Sequence, residues 1–472
     1  MHLKIIVPIL LASLSFSLSA QIDGLKHATV AVVVKDIDSG DTLQNINPDL
    51  AMTPASVMKL VTTGAALETL GSNYRYSTNL LYRGELRDSV LYGDLIIQGS
   101  GDPSLGSSHF ENSSQFILDW IDAIKKAGIK SIQGSVISDE HIYDEEGVSL
   151  GWTGADYGNY YACGCYGLNV FDNLYRISFK TGRKLGSLAE ILGTEPEQPQ
   201  IHFNNQMKAG RWDSSLIFGM PFSYERDLYG TVPRNCHKYT IKGDIPDPPF
   251  YLAYYFTEKL REAEISVSGQ PSSYRLIAAN GVWKSDSLTT LVVTQSPSVE
   301  SIVSIANHKS HNLFADGLFK TLGLSWQPSE REPANNFARG AHAVKQFWDS
   351  KGFDTSALYM LDGSGLAPAD KLTAGFLCDL LVWMATKSKV PDNFIESLPL
   401  AGEEGSVRNV LKGSRLQGNA RLKSGGMHGV RTFAGYINKD DKRYAVVVLT
   451  NNFTCSSKTA TRAIERYLLS IF

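Results

Sequence analysis

The stretch MTPASVMKLVTTGAALETLG, Met52 to Gly71, reads as an amphipathic helix. Apolar residues at Val57, Leu60, Val61, Ala65, Ala66 and Leu70 recur at roughly helical spacing, Pro54 sits just outside the start, and Gly71 is placed to end it as a C-cap. Ser56 at the helix start has two readings. A serine there caps the helix with its hydroxyl. A serine with a lysine one turn later, here Lys59, can also be a nucleophile with its own base, because positions i and i+3 share a helix face. Serine hydroxyl is a weak nucleophile and needs a base within hydrogen-bond reach. The N-terminal end of a helix favours the negative charge that develops. Lys59 would have to lose its proton near neutral pH, and burial or a second nearby cation would lower its pKa. Ser-x-x-Lys alone does not separate the two readings.

Working outward, ATVAVVVKDIDSGDTL (Ala28–Leu43) reads as strand, turn and strand. After the opening stretch, Leu86–Leu105 is strand with Gly-rich loops, Ser113–Lys130 an amphipathic helix and Ser131–Glu140 a strand. From Leu168 to about Thr294 the chain looks mostly β, with polar connections and the cluster PDPPF (Pro246–Phe250). Helices return at Ser301–Gly323 and Ala343–Gly352. Strands close the chain at Arg421–Gly426, Arg431–Asn438 and Arg443–Asn452, before a last helix over Ser456–Phe472. A first strand pair and helix cannot bury both faces alone, and the last three strands need partners. A discontinuous main domain, with the middle of the chain inserted, is therefore preferred to three domains in series.

Composition sets the class. The 472 residues exceed one ordinary core, and 43% apolar with 20% charged residues is the balance of a globular protein. A net charge of -3 without blocks of like charge gives no reason to expect nucleic acid or an anionic membrane as partner. The first twenty residues, MHLKIIVPILLASLSFSLSA, have the basic start, short apolar run and small-residue end of a cleavable secretory signal. No later segment is long and apolar enough to span a bilayer. The five cysteines read as small buried hydrophobes, since Cys163-Gly164-Cys165 is too tight for a relaxed disulfide and lacks a second ligand pair at zinc spacing. His308, His311 and His428 read as solvated loop residues. No His-Glu-x-x-His spacing occurs, and neither metal nor cofactor is expected.

Two further motifs favour chemistry at Ser56. Ser310-His311-Asn312 lies in a polar break within a helical run, where a second hydroxyl can relay a proton and an amide can hold a substrate carbonyl. Ser77-Thr78-Asn79 repeats the pattern in a strand-like setting and reads as structural. Lys-[Ser/Thr]-Gly occurs as Lys423-Ser424-Gly425 and as Lys180-Thr181-Gly182. Order and context select Lys423, which follows Ser310 near the end of a strand. Its ammonium would supply fixed positive charge for a substrate carboxylate, and the strand backbone would pair with the substrate.

These three motifs, in this order, resemble those of the penicillin-binding proteins and serine β-lactamases. The flanking stretches GDLIIQGSGDPSL, NHKSHNLFAD, LDGSGLAP (Leu361–Pro368) and RLKSGGMHGVRTFAGYI are similar to the penicillin-binding protein 4 type of D-alanyl-D-alanine carboxypeptidase, across nearly the whole mature chain. The resemblance implies an α/β fold: a transpeptidase/β-lactamase-like domain over 21–71 and 298–472, an inserted, mainly β domain over 72–100 and 166–297, and a second insertion, 101–165, nested in it. It implies that Ser56 is the acyl-ester nucleophile, Lys59 its base and Ser310 the proton relay. Asn312 and the Lys423-Ser424-Gly425 motif become substrate contacts, and the backbone N–H groups of Ser56 and Gly426 the oxyanion hole. Asp362 corresponds to a family motif near the site, as a structural turn. Asp156 would correspond to the Asp of a W-x-W-x-D stretch that helps hold the substrate's diamino acid, but Gly154 stands where the second Trp belongs. His311 replaces a common Asp at a position facing away from the chemistry.

The expected function is an exported, periplasmic serine DD-peptidase that cleaves peptidoglycan peptides through an acyl-enzyme, with β-lactams as covalent inhibitors. The alternatives are a β-lactamase or esterase on the same fold, or a non-catalytic peptidoglycan-binding protein.

Overall fold

The computed structural model describes residues 22–281, 283, 287–327 and 334–472; the expected signal, 1–20, lies outside them. One five-stranded antiparallel sheet joins the two ends of the chain. Its order is Ala420–Met427, Val430–Lys439, Lys442–Asn451, Thr29–Asp36, Thr42–Ile46. Thr29–Asp36 pairs along its whole length with Lys442–Asn451, so the first strand is held by the last. The near-continuous valines of both strands are explained by burial on two faces. Ala31, Val33, Ala445, Val447 and Leu449 face a helical core, while Val30, Val32, Val34, Val446 and Val448 face the C-terminal helix Ser457–Ile471. Each such valine contributes roughly 1.5 kcal/mol or more by leaving water.

The helical core is built around Met58–Leu70, and here the expectation of an amphipathic helix is corrected. Every residue from Met58 to Leu67 is buried, Lys59, Thr62 and Thr63 included. The helix packs against Val299–His308, Asn312–Gly323 and Asn336–Ser350, and also touches Ala374–Thr386, which lies on the sheet. Its polar groups are satisfied internally: Thr62 Oγ1 donates to the Gly363 carbonyl at 2.8 Å, and Thr63 Oγ1 to that of Lys59 at 2.7 Å. Gly71 closes the helix at φ +86°, a conformation glycine adopts without strain.

The middle of the chain forms a second body with its own core. A seven-stranded sheet combines Ser77–Arg87 and Val90–Gln98 with the short strands Ser131–Ile132, Val136–Asp139, Ser266–Val267 and Ser272–Ser273 and with Thr289–Gln295. Residues 131–139 pair with Val90–Gln98, so this sheet runs across the expected boundary of the nested segment. Three smaller sheets occupy 174–244. The region read as mostly β also contains a fifteen-residue helix, Pro248–Glu262. PDPPF starts that helix: Asp247 Oδ1 accepts from Phe250 N at 3.1 Å, and the two prolines occupy the first positions, where no amide hydrogen is needed.

Candidate active site

Ser56 lies in a single 3-10 turn, Ala55–Val57, that leads into the buried helix. Ala55 is held at φ +50°, and the carbonyl of Ala55 packs so tightly on Gly365 that a Cβ there would stand 2.1 Å from it. One turn along, Lys59 is buried with all three ammonium hydrogens used. Its Nζ donates to Ser56 Oγ at 3.0 Å, Asn312 Oδ1 at 2.7 Å and the Ser364 carbonyl at 2.7 Å. Burial lowers its pKa to about 8, against the opposing pull of Asp316, Asp362 and Asp370. Desolvation is thus the leading cause, where the sequence had offered burial and a second cation equally.

The second motif sits in the break between Val299–His308 and Asn312–Gly323. Ser310 takes φ +58° there, and its Oγ accepts from Lys423 Nζ at 2.9 Å. The Asn312 amide is committed at both ends, Oδ1 to Lys59 and Nδ2 to the Tyr161 carbonyl at 2.7 Å. Its expected grip on a substrate carbonyl would require release from Tyr161. Lys423 is buried and also donates to the Ser424 carbonyl at 2.7 Å. Its pKa falls well below the usual lysine value, first through burial and then through Lys59 and Arg431. Burial and the neighbouring cations thus work against the expected fixed positive charge, and an arriving anion would favour it.

Gly425 brings the third-motif strand onto the Ser56 turn. A Cβ there would lie 2.3 Å from Thr432 Oγ1, 2.8 Å from the Pro54 carbonyl and 2.9 Å from Ser56 N. Thr432 Oγ1 donates to that Pro54 carbonyl at 2.7 Å and locks the approach. Ser424 Oγ bonds Ser406 Oγ at 2.9 Å, and Gly426, next along the strand, is exposed. Asp362 ties the floor together: its carboxylate accepts from the amides of Ser364, Gly365 and Ala367 at 2.6–2.9 Å and from Trp152 Nε1 at 2.7 Å. Asp156 is half-buried and accepts from Thr153 Oγ1 and from Tyr161 OH, whose residue also carries the carbonyl on Asn312. Gly154 is exposed, with nothing near its missing Cβ.

Lys180 is not part of this arrangement. It ends a strand of the inserted body and pairs in solvent with Glu190 at 3.4 Å. The sequence reading missed Asp316, Ser364, Asp370 and Thr432. Asp316 follows Asn312 by one helical turn, and burial raises its pKa well above the carboxylate range. Asp370 ends the run DGSGLAPAD, and its Oδ1 accepts from Leu361 N at 2.7 Å. The histidine reading is corrected twice: His308 Nε2 lies 3.3 Å from Glu404 and His311 Nε2 3.5 Å from Asp172, while His428 alone is exposed. Cys163, Cys165 and Cys378 are buried, Cys236 and Cys455 half-buried, and all five are free. A cleft of about 840 Å³ opens beside Ser310 and Asn312 and continues between the catalytic body and the insertion.

The fold is that of the penicillin-binding proteins. It superimposes on the crystal structure of penicillin binding protein 4 (dacB) from Haemophilus influenzae with a TM-score of 0.79, at 22% identity, over 96% of this chain and 99% of that one. The chain belongs to the D-Ala-D-Ala carboxypeptidase 3 (S13) family, whose model matches residues 12–470, and is thereby a serine-type carboxypeptidase of peptidoglycan. It is 26% identical to the D-alanyl-D-alanine carboxypeptidase of Actinomadura sp. (strain R39), covering 90% of this chain and 78% of the relative. To the D-alanyl-D-alanine carboxypeptidase DacB of Haemophilus influenzae it is 22% identical, over 94% and 90%. Among the described residues no helix is long and apolar enough to cross a membrane.

Proposed function

We propose that Ser56 attacks the carbonyl before the terminal D-alanine of a cell-wall peptide, or before a D-amino cross-link, and that Lys59 is its base. The observation that carries this reading is the bonding of Lys59. When Lys59 is neutral, two hydrogens suffice for Asn312 Oδ1 and the Ser364 carbonyl. The lone pair is then left facing Ser56 Oγ at 3.0 Å. The Ser56 proton passes to Lys59 as the Oγ–carbon bond forms. The backbone N–H groups of Ser56 and Gly426 take the developing oxyanion. Ser310, bonded to Lys423, is placed to relay a proton to the departing amine. Water then hydrolyses the ester, and the same groups run in reverse.

Lys423 and the Ser424-Gly425 backbone would receive the substrate's terminal carboxylate, whose charge would favour the Lys423 ammonium. Asp156, through Tyr161, would meet the diamino-acid side chain. β-Lactams would acylate Ser56 and leave slowly. The domain division proposed is 21–71 with 298–472 for the catalytic part, 72–100 with 166–297 for the insertion and 101–165 nested within it. The place of action is the periplasm, after removal of 1–20.

Intact mass after brief exposure to benzylpenicillin tests the reading. One added penicilloyl group is expected on the parent and on Lys180→Ala, none on Ser56→Ala and a reduced yield on Lys423→Ala. An adduct that persists in Ser56→Ala would place the nucleophile elsewhere.

A further inference from the structure

Three side chains from separate parts of the chain converge where the insertion faces the second motif. His109, Asp172 and His311 each present one ligand atom, and these atoms all lie within 4.8 Å of one another. His311 Nε2 and Asp172 Oδ1 are 3.5 Å apart, and the His109 and His311 rings meet edge to face with centroids 5.1 Å apart. Two imidazoles and a carboxylate form a donor set suited to zinc and its d-block neighbours, and unsuited to magnesium or calcium. Bonds of about 2.0–2.2 Å in a tetrahedron separate ligand atoms by about 3.3–3.6 Å. Asp172 and His311 already meet that spacing, and His109 lies within 4.8 Å of both.

The protein atoms alone leave this corner incompletely paired. Asp172 Oδ1 is buried without a hydrogen-bond partner and has only the ion-pair contact with His311 Nε2 at 3.5 Å. The other Asp172 oxygen accepts only a long bond, 3.4 Å, from Ser108 Oγ. An orphaned buried acceptor is costly. Asp172 is also presented by strained backbone: Phe171, Asp172 and Asn173 take φ of 54°, 59° and 54° in succession, a left-handed turn without a glycine. All three residues line the cleft, so a fourth position faces its solvent.

We propose that His109, Asp172 and His311 bind one divalent zinc-class ion, which pins the insertion to the turn that carries Ser310. The site does not depend on the reaction assigned to Ser56. The test uses the tag-free mature chain, stripped with chelator and dialysed against Zn2+, with Co2+ as the spectroscopic probe. One Zn2+ per chain with micromolar or tighter affinity is expected, together with the visible absorption of tetrahedral Co2+ and a melting temperature raised by several degrees. His109→Asn and Asp172→Asn should each weaken binding at least tenfold while still forming the penicilloyl adduct in metal-free buffer. That adduct also reports that each variant is folded. His428→Ala should bind as the parent does. Substoichiometric zinc in the parent, or undiminished affinity in both His109→Asn and Asp172→Asn, overturns the proposal.

Discussion

At the scale of single residues, Lys59 is the base proposed here. A lysine in water is almost wholly protonated at neutral pH, whereas one held near 8 is neutral in an appreciable fraction of molecules. If Lys59 is the base, acylation needs its neutral form. The rate with benzylpenicillin should therefore climb about tenfold per pH unit below about 8 and level off above it. Lys59→Arg, which cannot lose its proton, should be slower by 10² or more and lack this limb. Stopped-flow acylation between pH 6 and 9 checks both, and a flat parent profile would exclude Lys59 as the base. Gly425 carries a second prediction. In Gly425→Ala the new methyl would drive into Thr432, Pro54 and the Ser56 amide. Acylation should fall at least a hundredfold while melting shifts by only a few degrees, because the strand is otherwise paired along its whole length. Both residues stand in short motifs and could be read from the chain. The lowered pKa could not, since it comes from burial that only the fold supplies.

At the scale of elements, the 362–367 turn decides whether Ser364 can hold Lys59. Four donors converge on Asp362, three of them amides within five residues. Asp362→Ala would leave them buried and unmatched, at about 1–3 kcal/mol for each group that water cannot reach. We expect a loss of at least about 3 kcal/mol in chemical denaturation, with a smaller loss for Asp362→Asn, which keeps one acceptor oxygen. Equal losses for the two would mean that the side chain acts by volume alone. The same turn shows what local reading can and cannot do. DGSG is visible as turn chemistry, and the break at Ser310 is visible as polar residues within a helical run. PDPPF stands in a region read as mostly β, yet its last two prolines occupy the one part of a helix that tolerates them. The central helix reads as amphipathic because Lys59, Thr62 and Thr63 are polar, yet each finds its partner inside the core.

Across the whole molecule, the insertion is joined to the catalytic body by a buried polar seam. Lys320, fully buried, donates to the carbonyls of Glu146 and Cys165 at 2.8 and 2.9 Å and lies over the rings of Tyr143 and Phe337. Beside it, Thr321 Oγ1 bonds both Tyr76 OH and Tyr143 OH, at 2.9 and 2.7 Å. Lys320→Met keeps the length of the chain but removes the donor, leaving two carbonyls unsatisfied. We expect it to cost about 2–4 kcal/mol and to raise proteolysis within 145–165, with the penicilloyl adduct still formed. An unchanged cleavage pattern would show that the seam does not hold this segment.

By itself the sequence determined the family and the order of its three motifs, because these depend on residue type, order and short spacing. It also determined that the ends of the chain belong together, since valine-rich strands at both termini lacked partners. Only the tertiary structure decided the lowered pKa of Lys59 and Lys423, the nearness of Asp316 and Asp370 to Lys59, and the meeting of His109 and Asp172 with His311. These depend on what is excluded from water and on contacts between residues far apart in the chain. Local periodicity carries no record of either.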